Sequence, residues 1–230
     1  MTGISEVSNL LIVESKADEL FVKRLLHELG LSSEVSVDTP VCCRIDEYQC
    51  LNGLSETQLI RKLKEVAVEI EKRGTERVGI LLDADRDGVD GKVDLINNSL
   101  QKIDEAIWID QTNQWIYSQG LDVKISCHIL NVDGYGELET LLRKVKSSNS
   151  IFADCLRSWR ECLSVSGDSI TDKEFDKFWL SIYQRFDTCT KKERKQAGRK
   201  CCLEASLKKN IWDFSSSYLD ELKGYLSSFV

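Results

Sequence analysis

A chain of 230 residues, 42% hydrophobic and 30% charged with a single proline, carries enough apolar material for one large domain, or for one domain with a sizeable appendage. No apolar run approaches the roughly 20 residues that span a bilayer, and the start MTGISEVSN lacks the basic and apolar stretches of an export signal, so a cytoplasmic location is expected. The net charge of −7 argues against a nonspecific nucleic-acid coat protein, whereas a metal-dependent enzyme on nucleic acid tolerates an acidic total because metal neutralises its site acids.

Residues 10–13, within NLLIVES, form a short apolar run ending in a polar turn, as a buried parallel strand does. A helix is expected over 17–29, where Leu20, Phe21, Leu25 and Leu29 fall near helical spacing and Gly30 stops it. Val35, Val37 and Val41 mark one or two short strands. Residues 55–72 read as a helix with a Ser55–Gln58 capping box and an apolar stripe of Leu59, Leu63, Val66 and Ile70. After Gly74, RVGILL reads as a second buried strand that runs into DADRDGVDGKVD, and Val93, Ile96, Leu100 and Ile103 mark the next helix. Val123, Ile125 and Cys127 alternate within 121–130, a further strand leading to NVDGYGELETLLRKV. Strand and helix in alternation imply a parallel sheet with helices on both faces. From about Ser150 the pattern turns wholly helical, over 151–163, 171–183 (with a Thr171–Glu174 capping box), 191–207 and 217–228. The expected division is an α/β domain over 1–148 and a helical extension over 149–230 packed on it.

The nine cysteines include the neighbours Cys42–Cys43 and Cys201–Cys202 but no C-x-x-C. Without an export signal they read as reduced thiols, several buried as small hydrophobes, and the isolated His27 and His128 offer no zinc-ligand spacing.

In open parallel sheets functional residues gather at the carboxyl ends of strands, which singles out Glu14, Asp83 and Asp133. Asp83-Ala-Asp85-Arg-Asp87 directly follows VGILL. In an extended exit alternate residues face the same way, so these carboxylates converge, and a divalent cation is the usual remedy for their repulsion. A solvated acidic turn is the plainer reading, and the buried strand before it favours the metal site. Glu14 is either a functional acid or the first exposed residue of a turn. Glu137 and Glu139 open an apolar helix, where the helix dipole alone favours acids.

Together LLIVES, GILLDAD and GELE resemble the Toprim family, which carries a Glu at the end of its first strand and an Asp-x-Asp pair after a later one. GELE is similar to the additional acidic segment of the overcoming-lysogenization-defect nucleases, a two-metal Toprim branch. The resemblance spans roughly 9–145, and the overall length and helical tail are similar to small stand-alone Toprim-like proteins. It implies an α/β, Toprim-like Rossmannoid parallel sheet flanked by helices, with a C-terminal helical extension. The implied activity is that of a Mg²⁺- or Mn²⁺-dependent phosphoesterase acting on nucleic acid, a nuclease of defence or repair. Catalytic roles then fall to Glu14, Asp83 and Asp85, which are also metal ligands, and Asp87 joins them by its spacing. Glu139 would hold a second ion, with Glu137 as its substitute; two ions about 3.5–4 Å apart clamp the attacking and leaving oxygens of a phosphodiester. Ser15 departs from the family, which usually has Gly there, and this loosens the turn where a phosphate would approach. Lys16 or Lys92 would offset phosphate charge. The resemblance also implies a separate ATPase partner, because Toprim domains are often joined to ATPases and this chain has no P-loop of its own.

In the tail, KKERKQAGRK supplies Lys191, Lys192, Arg194, Lys195, Arg199 and Lys200, either a nucleic-acid-binding helix or a solvated face. Trp179, Tyr183, Phe186 and Trp212 read as core. Three rival readings stand beside the nuclease. Asp83, Asp85, Asp87, Gly88 and Asp94 match a calcium-binding EF-hand loop, making Ca²⁺ the alternative ion, although the preceding segment is strand-like and Asp90 and Asp94 occupy positions where an apolar residue and a Glu are usual. A phospho-accepting receiver wants paired acids after the first strand, where only Glu14 stands. A non-catalytic, Toprim-shaped regulatory or partner protein is the third.

Overall fold

A computed structural model describes residues 9–39 and 54–230; Val41 and the Cys42–Cys43 pair lie outside them. Strand β1 (Asn9–Val13) is buried at every position. Ser15 then caps helix α1 (Lys16–Glu28), its Oγ accepting from the Asp18 amide at 3.3 Å. Strand β2 (Val35–Asp38) is followed by α2 (Glu56–Arg73), which has the expected Ser55–Gln58 capping box and ends at Gly74 in the left-handed conformation. Strand β3 (Arg77–Asp83) and helix α3 (Gly88–Gln101) come next, then β4 (Ile116–Ser118), β5 (Val123–Leu130) and α4 (Leu138–Lys144).

The strands order as β2-β1-β3-β5-β4 in one sheet, parallel except for the edge strand β4, which runs antiparallel to β5. Register sets Ile12 beside Ile80 and Asp83 beside Leu130, so the carboxyl ends of β1, β3 and β5 open on one side of the sheet. Sequence periodicity does not reveal β4, because three residues are too few to display alternation.

Alternate residues of β1 serve two cores. Leu10 and Ile12 join Leu59, Leu63, Ile80 and Ile96 under α2 and α3. Leu11 and Val13 join Phe21, Leu25, Trp179, Tyr225 and Phe229 on the opposite face. The C-terminal helices therefore close one face of the sheet. Gly79 shows how closely they approach: a β-carbon there would lie 2.5 Å from both Phe229 Cζ and Tyr225 Oη, and both rings are buried with no room to retreat. Asn9 Nδ2 reaches the Phe229 carbonyl at 3.0 Å, and Trp115 Nε1 reaches Ser228 Oγ at 2.9 Å, fixing the last turn against β1 and the start of β4.

Within the extension, the expected helices are more broken than their patterns imply. The first is α5 (Ile151–Asp154) and α6 (Leu156–Val165), divided at Cys155. The second is α7 (Asp172–Ile182), with the expected Thr171–Glu174 box, prolonged by a π-turn over Tyr183–Asp187. The third divides into α8 (Lys191–Arg194), α9 (Ala197–Lys200) and α10 (Leu203–Leu207), and a 3₁₀ turn precedes α11 (Asp220–Ser227). The reading of reduced thiols is corrected at Cys189 and Cys201, whose sulfurs are bonded with Cα atoms 6.1 Å apart, a closure that a continuous helix over the basic run would not permit. Cys127 is a buried free thiol as expected, whereas Cys155 and Cys162 are free and exposed. Trp179, Tyr183 and Trp212 are core, but Phe186 is exposed, flanked by the guanidinium groups of Arg185 and Arg194. Among the described residues no helix is long and apolar enough to cross a membrane.

Candidate metal centre

Three strand-to-helix junctions meet at the carboxyl edge of the sheet. The β1–α1 turn contributes Glu14, the β3–α3 turn contributes Asp83 and Asp85, and the β5–α4 turn contributes Glu137 and Glu139. The last two turns are tied together by the backbone, with Asp85 N donating to Gly136 O at 2.8 Å and Gly136 N to Asp85 O at 3.0 Å. Asp85 adopts a left-handed φ of 49°, which turns its side chain away from the line of β3. That kink is why the alternate-residue argument fails beyond Asp83: the carboxylates of Asp83, Asp85 and Asp87 do not share one direction.

Asp83 and Glu14 are buried, 8% and 6% exposed, so neither is the solvated turn residue of the plainer reading. Glu14 Oε2 accepts from the Asp83 amide at 3.1 Å and Oε1 from the Leu54 amide at 3.2 Å, which locks it beside Asp83. A third buried acid, Asp18, completes the group at 2% exposure. Ser15 Oγ donates to Asp18 Oδ2 at 2.6 Å, so the residue that departs from the family pattern both caps α1 and orients this acid. Sequence reading missed Asp18. Its signal was its place one turn after Glu14, in line with Phe21, Val22 and Leu25 on the buried stripe of α1.

Burial raises the Asp83 carboxyl well above its ordinary range, and the charges of Asp18, Glu14, Glu139 and Asp85 push it further. Asp18 is raised to about 7 by burial and by Glu14. Glu14 also rises, chiefly through burial, against the pull of its two amide donors. Asp83 Oδ1 and Asp18 Oδ1 are buried without a hydrogen-bond partner among the described residues. Buried carboxylate oxygens left bare cost free energy unless protonated or met by a cation.

Asp85 and Glu137 are served differently. Lys92 Nζ lies 2.8 Å from Asp85 Oδ2, and Lys173 Nζ, reaching across from α7, lies 2.8 Å from Asp85 Oδ1 and 3.0 Å from Glu137 Oε2. These two ammonium groups overcome burial and hold Asp85 below its usual value. Glu137 is nevertheless raised to about 7, because burial and the charge of Glu139 outweigh Lys173 and the more distant Lys177. Among the described residues no three acidic, histidine or cysteine side chains stand close enough as placed to hold one ion, and Asp85 is turned to its lysines. The donors nonetheless suit a hard divalent cation: all are carboxylate oxygens, and three of those oxygens, on Asp18, Asp83 and Glu137, are buried and bare.

Other expected site residues lie elsewhere. Asp87 is exposed and only loosely paired with Lys92 at 3.8 Å, and Asp133 is exposed in a left-handed turn. Lys16, itself exposed, pairs with the buried Glu19, which leaves Lys92 rather than Lys16 at the site. The calcium-loop geometry is not met, because helix α3 begins at Gly88 and Asp94 is an exposed residue on it, so the segment does not wrap around a point. Of the basic run, Lys191, Lys192 and Arg194 sit on α8, Lys195 just after it, and Arg199 and Lys200 on α9, all within the loop that the Cys189–Cys201 bond closes.

No curated protein and no solved structure matches the chain. One family model, described as a protein of unknown function (DUF3226), matches residues 8–230. That match covers nearly the whole chain, strand β1 and the final helix included, and the protein therefore belongs to the DUF3226 family.

Proposed function

We propose that the chain is a Toprim-type phosphoesterase that uses Mg²⁺ or Mn²⁺ to cleave nucleic acid in the cytoplasm. One observation carries the reading: Glu14, Asp18 and Asp83 are buried together at the carboxyl edge of a parallel sheet, with their acid forms favoured and two oxygens bare. A fold retains so costly a cluster when something positive is meant to enter it. Glu14, Asp18, Asp83 and Glu139 would hold the cation, and Asp85 would join them on release from Lys92 and Lys173. Such an ion supplies neutralisation of a phosphodiester's charge when bound. Lys92, itself buried, stays at the edge of the cluster as a fixed positive charge facing the same substrate.

The test is cleavage of labelled single-stranded DNA, single-stranded RNA and plasmid in Mg²⁺ or Mn²⁺. Divalent-dependent cleavage is expected in the wild type, falling more than about 100-fold in Asp83→Ala/Asp85→Ala. Wild-type protein inert on all three substrates, or a variant as active as wild type, contradicts the reading.

A further inference from the structure

Beside the acidic cluster lies a cleft of about 780 Å³, lined by the β3–α3 and β5–α4 turns on one side and by α6 and α7 on the other. It touches Asp85 and Glu137, so it opens directly onto the candidate metal centre. Its volume lies in the range that encloses a ligand of small-molecule size.

The chemistry of its walls is specific. Arg86 and Arg157 are exposed and form no salt bridge among the described residues. Arg160 lies with its guanidinium 5.1 Å from the centre of the Phe175 ring, a cation–π contact that helps to place it. Its partner Asp172, at 2.7 Å, has a side chain 88% exposed, and an exposed pair of this kind is weak and readily exchanged for a phosphate that accepts a guanidinium in two places. Tyr135, also in the lining, is 61% exposed although it packs over Gly88, which leaves aromatic surface open to solvent. Of the acids in the lining, Asp85 and Glu137 are paired with Lys92 and Lys173, Asp172 with Arg160 and Asp176 with Arg143, which leaves Glu161 as the lining acid with no ion pair among the described residues.

We infer that this cleft takes a single strand of nucleic acid, with Arg86, Arg157 and Arg160 on its phosphates and Tyr135 stacked on a base. Guanidinium groups and an exposed aromatic ring lining a groove are the means by which proteins hold single strands, and a duplex is far larger than a cleft of about 780 Å³. The inference rests on the phosphoesterase reading for its purpose but not for its measurement. It also moves nucleic-acid binding from the basic run of α8 and α9 to the junction of the extension with the sheet.

The experiment is fluorescence anisotropy with a labelled 12-nucleotide single strand and its duplex, in EDTA so that no cleavage occurs. The single strand is expected to bind more tightly than the duplex. Arg157→Glu/Arg160→Glu should weaken binding about tenfold or more, and its salt dependence should flatten by about 0.7 for each phosphate that is no longer neutralised. Tyr135→Ala should weaken binding at least about fivefold, while Lys191→Glu/Lys192→Glu binds as wild type. Since Arg157 is exposed on α6, Arg157→Ala alone provides a variant whose fold is not at risk. Unchanged binding in the cleft variants, equal binding of duplex, or weakening confined to the Lys191/Lys192 variant overturns the cleft. Binding that follows the cleft variants in a protein that never cleaves would support the cleft and overturn the phosphoesterase instead.

Discussion

Replacing Asp18 with Asn raises the stability of the cation-free protein at pH 8, by on the order of 1–4 kcal/mol. Asp18 is fully buried, and its carboxyl is raised from an ordinary 3.8 to about 7, so the folded state keeps a proton that the unfolded chain releases. Its contribution is fully favourable below about pH 4, declines as pH rises towards 7, and is level above that. Asparagine has the same shape and can still accept from Ser15 Oγ, but it carries no charge to bury beside Glu14 and Asp83. Denaturant titrations in EDTA at pH 5 and pH 8 check this directly. The wild type should lose stability between the two, and the variant should lose much less. With Mg²⁺ present the order should reverse at pH 8, because the variant has given up a ligand. Equal pH dependence in the two proteins would contradict the buried acidic cluster.

Lys173→Met should have the opposite effect in EDTA. Lys173 joins the helical extension to the metal centre, between Asp85 at 2.8 Å and Glu137 at 3.0 Å. Removing it leaves Glu137, 4% exposed, with Lys177 at 3.8 Å as its remaining ion-pair partner among the described residues. The side chain of Lys173 is 33% exposed, which moderates the loss to about 1–3 kcal/mol, below that of a wholly buried pair. The same lysine competes with any cation for Asp85. The variant should therefore bind Mn²⁺ more tightly than wild type and gain more in Tm from it. Thermal melts with and without Mn²⁺ check both effects; identical metal-induced shifts would show that Lys173 does not compete.

Much of this arrangement was legible in the amino-acid order. The apolar runs at Leu10–Val13 and in RVGILL, the capping boxes at Ser55 and Thr171, and the helical turn in pattern after Ser150 all have their counterparts in the structure, because each is a local signal of burial or capping. Glu14 and Asp83 stood out as acids interrupting apolar strands, and they are buried together. Asp18 did not, because one acid in the first turn of a helix looks like an ordinary dipole partner until the fold shows which face is covered. The positive φ of Asp85 is set by its pairing with Gly136, a bridge between residues 51 positions apart that no local pattern encodes. Lys173 reaches the site from 88 residues beyond Asp85, so its role depends wholly on how α7 docks. The basic run had the opposite fate: its composition drew notice, yet the cations beside the acids are Lys92, Lys173 and the arginines of α6.

Whether the buried acids are a cation site is read out by calorimetric titration with Mn²⁺ at pH 7, run in two buffers of different ionisation enthalpy. Saturable binding with release of about one proton is expected, because ligating carboxyls must give up protons held in the cation-free state. Both the binding and the release should vanish in Asp83→Asn. Absence of saturable binding in the wild type, or binding unchanged by Asp83→Asn, would contradict a cation site at these acids.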